Sequence, residues 1–166
     1  MRIAWIPAYV GIGSNLDDPL LQIERALDRL AALPETRLVA RSRRYRSAPL
    51  GPQDQPWFVN AAAGLLTQLD PHELLTALKA LELQLGRALP RERWGPRRID
   101  LDLLLYGSLE LATPDLTVPH AGLTTRAFVL YPLADFAPEV LVPGRGRIAD
   151  LARSVATDGL EPIDTD

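Results

Sequence analysis

The chain has no cysteine and only two histidines, His72 and His120, among its 166 residues. The first absence removes disulfides, thiolate zinc sites and cysteine nucleophiles together, and fits a reducing compartment. The second leaves His120, which follows Val118-Pro119, without the partners of a zinc site or a serine triad. Basic residues are not in excess either: the net charge of −3 argues against a dedicated nucleic-acid binder, which needs a basic face. No apolar run reaches the length of a membrane span. The apolar first ten residues contain Pro7, lack a small-residue cleavage site and run into Gly11, so they read as a strand and not as a signal peptide. The expected location is the cytoplasm. Phosphate-loop signatures are missing as well. Gly11-Ile12-Gly13-Ser14-Asn15-Leu16 has leucine where a dinucleotide fingerprint needs its third glycine, and no Walker-type glycine-lysine pair occurs.

What is present describes a globular chain whose length suits a single domain spanning residues 1–166. A short apolar strand over Ala8–Gly13 leads to Asp17 or Asp18 followed by Pro19, a helix cap, after which Leu20, Ile23, Leu27 and Leu30 recur at helical spacing until Pro34. Arg37 to Arg46 reads as a strand with one wet face, Ser47 to Pro56 as a proline-rich loop, and Trp57 to Leu69 as a second extended segment. Asp70-Pro71-His72-Glu73 is a capping box for a helix with buried Leu74, Leu78, Leu81 and Leu85, and His72 there is structural. The basic loop Arg87 to Arg98 precedes a strand over Ile99 to Tyr106. The order β-α-β-β-α-β predicts an α+β fold with a ferredoxin-like core, a mostly antiparallel sheet packed with helices. A C-terminal extension follows, with helices near Thr125 to Ala134 and Ile148 to Val155.

The chemistry concentrates on the last core strand. Strands alternate sides, so Asp100 and Asp102 project from one face, their Cα atoms about 6.6 Å apart, while Leu101, Leu103 and Leu105 project from the other. Two carboxylates so placed repel each other unless cations compensate them, and magnesium, which takes one or two carboxylates together with water and substrate phosphate, suits that role. On the strand alone, a solvated edge carrying two acids is an equal reading. The preceding Arg91-Glu92-Arg93-Trp94-Gly95-Pro96-Arg97-Arg98 supplies guanidinium groups suited to phosphate, on a loop able to close over a ligand. Phe58 and Asn60 share one face of their strand, a ring to stack on and an amide to read the edge of a flat heterocycle. Their alternative is a core phenylalanine with an asparagine that satisfies a turn. His120 suits a phosphate or substrate contact.

Taken together, Gly13-Ser14-Asn15-Leu16, Leu50-Gly51-Pro52-Gln53-Asp54-Gln55-Pro56, Arg93-Trp94-Gly95-Pro96-Arg97, Asp100-Leu101-Asp102 and Val118-Pro119-His120 closely resemble the 6-hydroxymethyl-7,8-dihydropterin pyrophosphokinase family, in order from about Tyr9 to Pro143. The resemblance implies that ATP donates its β,γ-pyrophosphoryl group to the hydroxymethyl of 6-hydroxymethyl-7,8-dihydropterin in folate biosynthesis, releasing AMP. It implies two magnesium ions on Asp100 and Asp102, with Arg87 and Arg97 as further catalytic residues. By similarity, Phe58 and Phe128 sandwich the pterin and Asn60 and the backbone at Ser47 and Leu50 read its edge, with Pro49 and Trp94 alongside. The nucleotide falls to Arg87, Arg93, Trp94, Arg97, Leu103, Thr117, His120 and Arg126. Leu89 and Ala121 depart from the family pattern, which often has a basic residue at the first position and proline or an aromatic at the second. No nucleic acid, membrane or obligate protein partner is implied. The competing expectations are a ferredoxin-like nucleic-acid module stacking bases on Trp57, Phe58 and Trp94, and a pterin binder without catalysis.

Overall fold

The computed structural model describes residues 4–48, 56–86, 99–157 and 159–163. In β1 (Ile6–Ser14), Ala8, Val10 and Ile12 are buried on one side of the strand, while Tyr9, Gly11 and Gly13 face the other. Asp18 then caps α1 (Pro19–Ala31) by accepting from the Leu21 N–H, and Pro19 occupies the first turn, where a missing donor costs nothing. Ile23, Leu27 and Leu30 form its buried stripe, as their spacing predicts. α2 (Pro71–Gln84) opens with the expected capping box. The Glu73 N–H donates to Asp70 Oδ1 at 2.8 Å and the Asp70 N–H to Glu73 Oε1 at 2.9 Å.

The stretch expected as one strand over Arg37 to Arg46 is two, β2 (Thr36–Arg41) and β3 (Tyr45–Ser47), both antiparallel to β4 (Phe58–Thr67). The break falls at Ser42. Its hydroxyl accepts from the Ala62 N–H at 2.9 Å and donates to the Arg43 carbonyl at 2.5 Å, which keeps the backbone satisfied where the ladder lapses. Just beyond, Asp135 gathers the Arg43 guanidinium and the Tyr45 hydroxyl, the latter at 2.7 Å. Burial and the Asp135 bond push Tyr45 up to about 12, so it stays a neutral donor.

The main sheet runs β10 (Glu161–Pro162), β3, β4, β1, β5 (Asp100–Tyr106), with β2 also on β4, and its pairings are antiparallel. This is the expected α+β arrangement, with the second strand split. α1 and α2 cover one face, where Val10, Ile12, Val59, Leu65, Leu101 and Leu103 join the helix leucines in one core. The C-terminal extension contributes the hairpin β6 (Leu111–Ala112) and β7 (Thr117–Val118), helix α3 (Ala127–Ala134), the hairpin β8 (Leu141–Val142) and β9 (Gly146–Arg147), and helix α4 (Ile148–Arg153). α3 and α4 cover part of the opposite face through Leu130, Leu133 and Ile148. Phe136 enters this layer at Gly64, where a Cβ would stand 3.0 Å from its ring. No helix among the described residues is long and apolar enough to cross a membrane.

One expectation about β5 fails. Leu101 and Leu103 point to the α1–α2 core, but Leu105 points to the other one. The cause is a bulge: Val10 pairs with Leu103 and Tyr9 with Leu105, which leaves Leu104 as an extra residue and reverses the alternation beyond it. The Leu104 carbonyl accepts instead from the His120 N–H at 2.9 Å, docking the loop that follows β7 against the strand.

Candidate active site

Where α3 and α4 do not cover the sheet, a cavity of about 570 Å³ remains, a volume in the range of small-molecule sites. Its floor follows from strand register. Gly13 lies between Asn60 and Asp100, and Gly11 between Ala62 and Asp102, so these residues share a face. The two glycines that make a poor dinucleotide fingerprint thus leave the floor low between an amide and the acid pair. A Cβ at Gly13 would meet Asn60 Oδ1 at 3.4 Å, and one at Gly11 would meet the Leu104 side chain at the same distance. Asp102 is exposed and Asp100 half-buried.

Asn60 is buried, and its Nδ2 donates to Ser47 Oγ at 2.7 Å across the β3–β4 pair. That bond turns the amide into a fixed feature of the wall, beside half-buried Phe58. Phe128, at the start of α3, also lines the cavity, and the Arg126 guanidinium sits 5.9 Å from its ring centre. Asn15 Nδ2 donates to the Pro56 carbonyl at 2.9 Å and ties the end of β1 to the approach to Phe58.

His120 follows the cis Val118–Pro119 peptide. Its Nδ1 accepts from the Gly122 N–H at 3.0 Å, which places the proton of the neutral ring on Nε2. Burial, and secondarily the charge of Arg126, hold its pKa below the ordinary imidazole value. The ring is therefore a neutral donor at pH 7. Thr117, Leu103 and Arg126 complete the set of expected residues on the cavity lining.

A scan against family models matches residues 9–138 to 7,8-dihydro-6-hydroxymethylpterin-pyrophosphokinase, HPPK. The chain belongs to the HPPK family. It is 52% identical over 155 residues to the 2-amino-4-hydroxy-6-hydroxymethyldihydropteridine pyrophosphokinase of Pseudomonas aeruginosa, covering 93% of this chain and 95% of that one. The Haemophilus influenzae enzyme of the same name is 43% identical over 151 residues, covering 91% and 94%. The crystal structure of wild-type Plasmodium falciparum HPPK-DHPS with pteroate shares the fold at a TM-score of 0.74 and 14% identity, covering 93% of this chain and 43% of that longer one.

Of the residues that the HPPK resemblance implies, Ser47, Phe58, Asn60, Asp100, Asp102, Leu103, Thr117, His120, Arg126 and Phe128 line this one cavity. Pro49, Leu50, Arg87, Arg93, Trp94 and Arg97 lie outside the described residues. The lining also includes residues that the sequence reading passed over, among them Lys79 and Glu82 of α2, Asp115 and Gly122. Gly122 is buried, and a Cβ there would stand 2.5 Å from Arg126 Cζ, so the absence of a side chain gives the guanidinium its berth. His72 Nε2 lies 3.4 Å from Thr113 Oγ1, and His72 is not on the cavity lining.

Proposed function

We propose that this chain, acting over 1–166 as one pyrophosphokinase domain, transfers the β,γ-pyrophosphoryl group of ATP to the hydroxymethyl group of 6-hydroxymethyl-7,8-dihydropterin and releases AMP. The observation that carries the reading is the shared cavity, with the acid pair at one end of a glycine floor and Phe58 with Asn60 at the other. The pterin lies between the Phe58 and Phe128 rings. Asn60 Oδ1 accepts from the pterin edge, and one Nδ2–H donating to Ser47 Oγ holds the amide in that orientation.

Asp100 and Asp102 fit magnesium: both offer hard oxygen donors on one face of β5, beside the glycine floor. Two bound ions would neutralise triphosphate charge and align the β-phosphorus for in-line attack. The chain's own part is positioning. His120 Nε2–H and the Arg126 guanidinium donate to phosphate oxygens, Thr117 and Leu103 contact the nucleotide, and Arg87, Arg93, Trp94 and Arg97 serve the triphosphate and the closing of the site, with Pro49, Leu50 and Trp94 against the pterin. The substrate hydroxyl oxygen forms the new bond to the β-phosphorus while the bond to the α,β-bridging oxygen breaks, and AMP leaves with that oxygen. The hydroxyl proton passes to Asp102.

The other expectations fit less well. A base-stacking nucleic-acid surface would meet Asp100 and Asp102 on the same sheet face. A soluble cytoplasmic enzyme that needs only these small substrates and no protein partner accords with the composition. The test is incubation with ATP, magnesium and the hydroxymethyl-dihydropterin, followed by nucleotide chromatography. AMP is the expected product. ADP would replace pyrophosphoryl with simple phosphoryl transfer, and unchanged ATP would leave only binding.

A further inference from the structure

One wall of the cavity comes from a helix whose sequence pattern indicates only packing. α2 turns Leu75, Lys79 and Glu82 toward the cavity, positions i, i+4 and i+7 on one helix face. Glu82 is unusual among them, being only 5% exposed. A carboxylate that deep needs donors to hold it. Its Oε2 accepts from the backbone N–H of Leu101 at 2.8 Å. Leu101 stands between Asp100 and Asp102, and β5 is the edge strand of the main sheet, paired among the described residues only with β1.

We propose that Glu82 is a positioning residue for the acid pair: by gripping the Leu101 N–H, it fixes where on the edge strand the Asp100 and Asp102 carboxylates meet a divalent cation. The inference rests on the reading of that pair as the magnesium site. Glu82, Asp100 and Asp102 do not group as a three-residue cluster among the described residues, and the contact that links Glu82 to the pair is the Leu101 N–H. Glu82 acts through the peptide. The bond falls on the outer side of an edge strand, where among the described residues no further strand pairs with β5. Outer partners of this kind commonly set how well a ligand meets its metal.

The test is Mn2+ binding, followed by electron paramagnetic resonance, to the full chain with an ATP analogue whose α,β-bridging oxygen is a methylene. Glu82→Gln keeps an acceptor oxygen at the same reach, and its Mn2+ affinity should stay within roughly threefold of the unsubstituted chain. Glu82→Asp, one methylene short, and Glu82→Leu should bind Mn2+ about 10–100-fold more weakly, the range for losing a partner of a metal ligand. Melting temperatures are read beside each variant. If the leucine variant fails to fold, the aspartate variant, which keeps the charge, carries the decision. Unchanged Mn2+ affinity in folded Glu82→Asp would overturn the proposal, and so would a loss in Glu82→Gln as large as in Glu82→Asp, since the charge and not the bond to Leu101 would then matter. Failure of the unsubstituted chain to bind Mn2+ with the nucleotide would instead strike at the magnesium reading itself.

Discussion

Toward α1 and α2, the strands β1, β4 and β5 present Val10, Ile12, Val59, Ala61, Leu101 and Leu103, all buried. Toward the cavity, the same stretches present Gly11, Gly13, Phe58, Asn60, Asp100 and Asp102. One face fills space and the other leaves it open. Since side chains alternate with period two, a slip of one residue would exchange the two sets, so burial of the aliphatic face also sets the register of the acids, the amide and the ring. The dry side therefore supplies stability and the wet side supplies chemistry, and the two should separate under mutation.

The largest expected effect lies on the wet side. Asp102→Asn should lower turnover by roughly 10³-fold, the scale of losing one well-placed electrostatic contact in a closed site. Its melting temperature should fall less than that of a core truncation, because Asp102 is exposed and fills no core volume. On the dry side, Leu65→Ala should cost about 2–5 kcal/mol in denaturant unfolding, through lost burial and the cavity left behind, with turnover per folded molecule retained, since Leu65 is buried in the α1–α2 core and lies off the cavity lining. If Asp102→Asn unfolds as readily as Leu65→Ala, the division between the faces is wrong.

A smaller effect sharpens the picture at the cavity rim. Gly122→Ala places a methyl group where the Arg126 guanidinium now lies, and Arg126 must swing away. Loss of one charge-assisted hydrogen bond, about 1.5 kcal/mol, should raise the KM for ATP roughly tenfold and leave that for the pterin unchanged, as measured by initial rates.

Much of this division is legible in the residues. Alternation in β1 and over Asp100 to Leu103 of β5, the Asp70–Glu73 capping box and the leucine spacing of α1 and α2 are local signals, and the structure follows them. The failures have a common cause in the partner strand or neighbouring helix. The Leu104 bulge, which turns Leu105 to the opposite core, depends on how β1 pairs, and the break at Ser42 depends on a hydroxyl meeting the Ala62 backbone. Glu82 looks like an ordinary helix acid next to Leu83, which is exposed. A sharper reading could have found it: Glu82 lies four residues after Leu78 and three before Leu85, both buried, and so sits on the buried flank of the helix. For Gly122 no local signal exists, because its neighbour Arg126 meets it only through the fold.

The most direct measurement is a crystal structure of the chain with magnesium, the methylene ATP analogue and the hydroxymethyl-dihydropterin. Magnesium on Asp100 and Asp102, with the pterin between Phe58 and Phe128 and its hydroxyl directed at the β-phosphorus, is the expected result. Metal bound away from both aspartates, or a pterin seated outside this cavity, would contradict it.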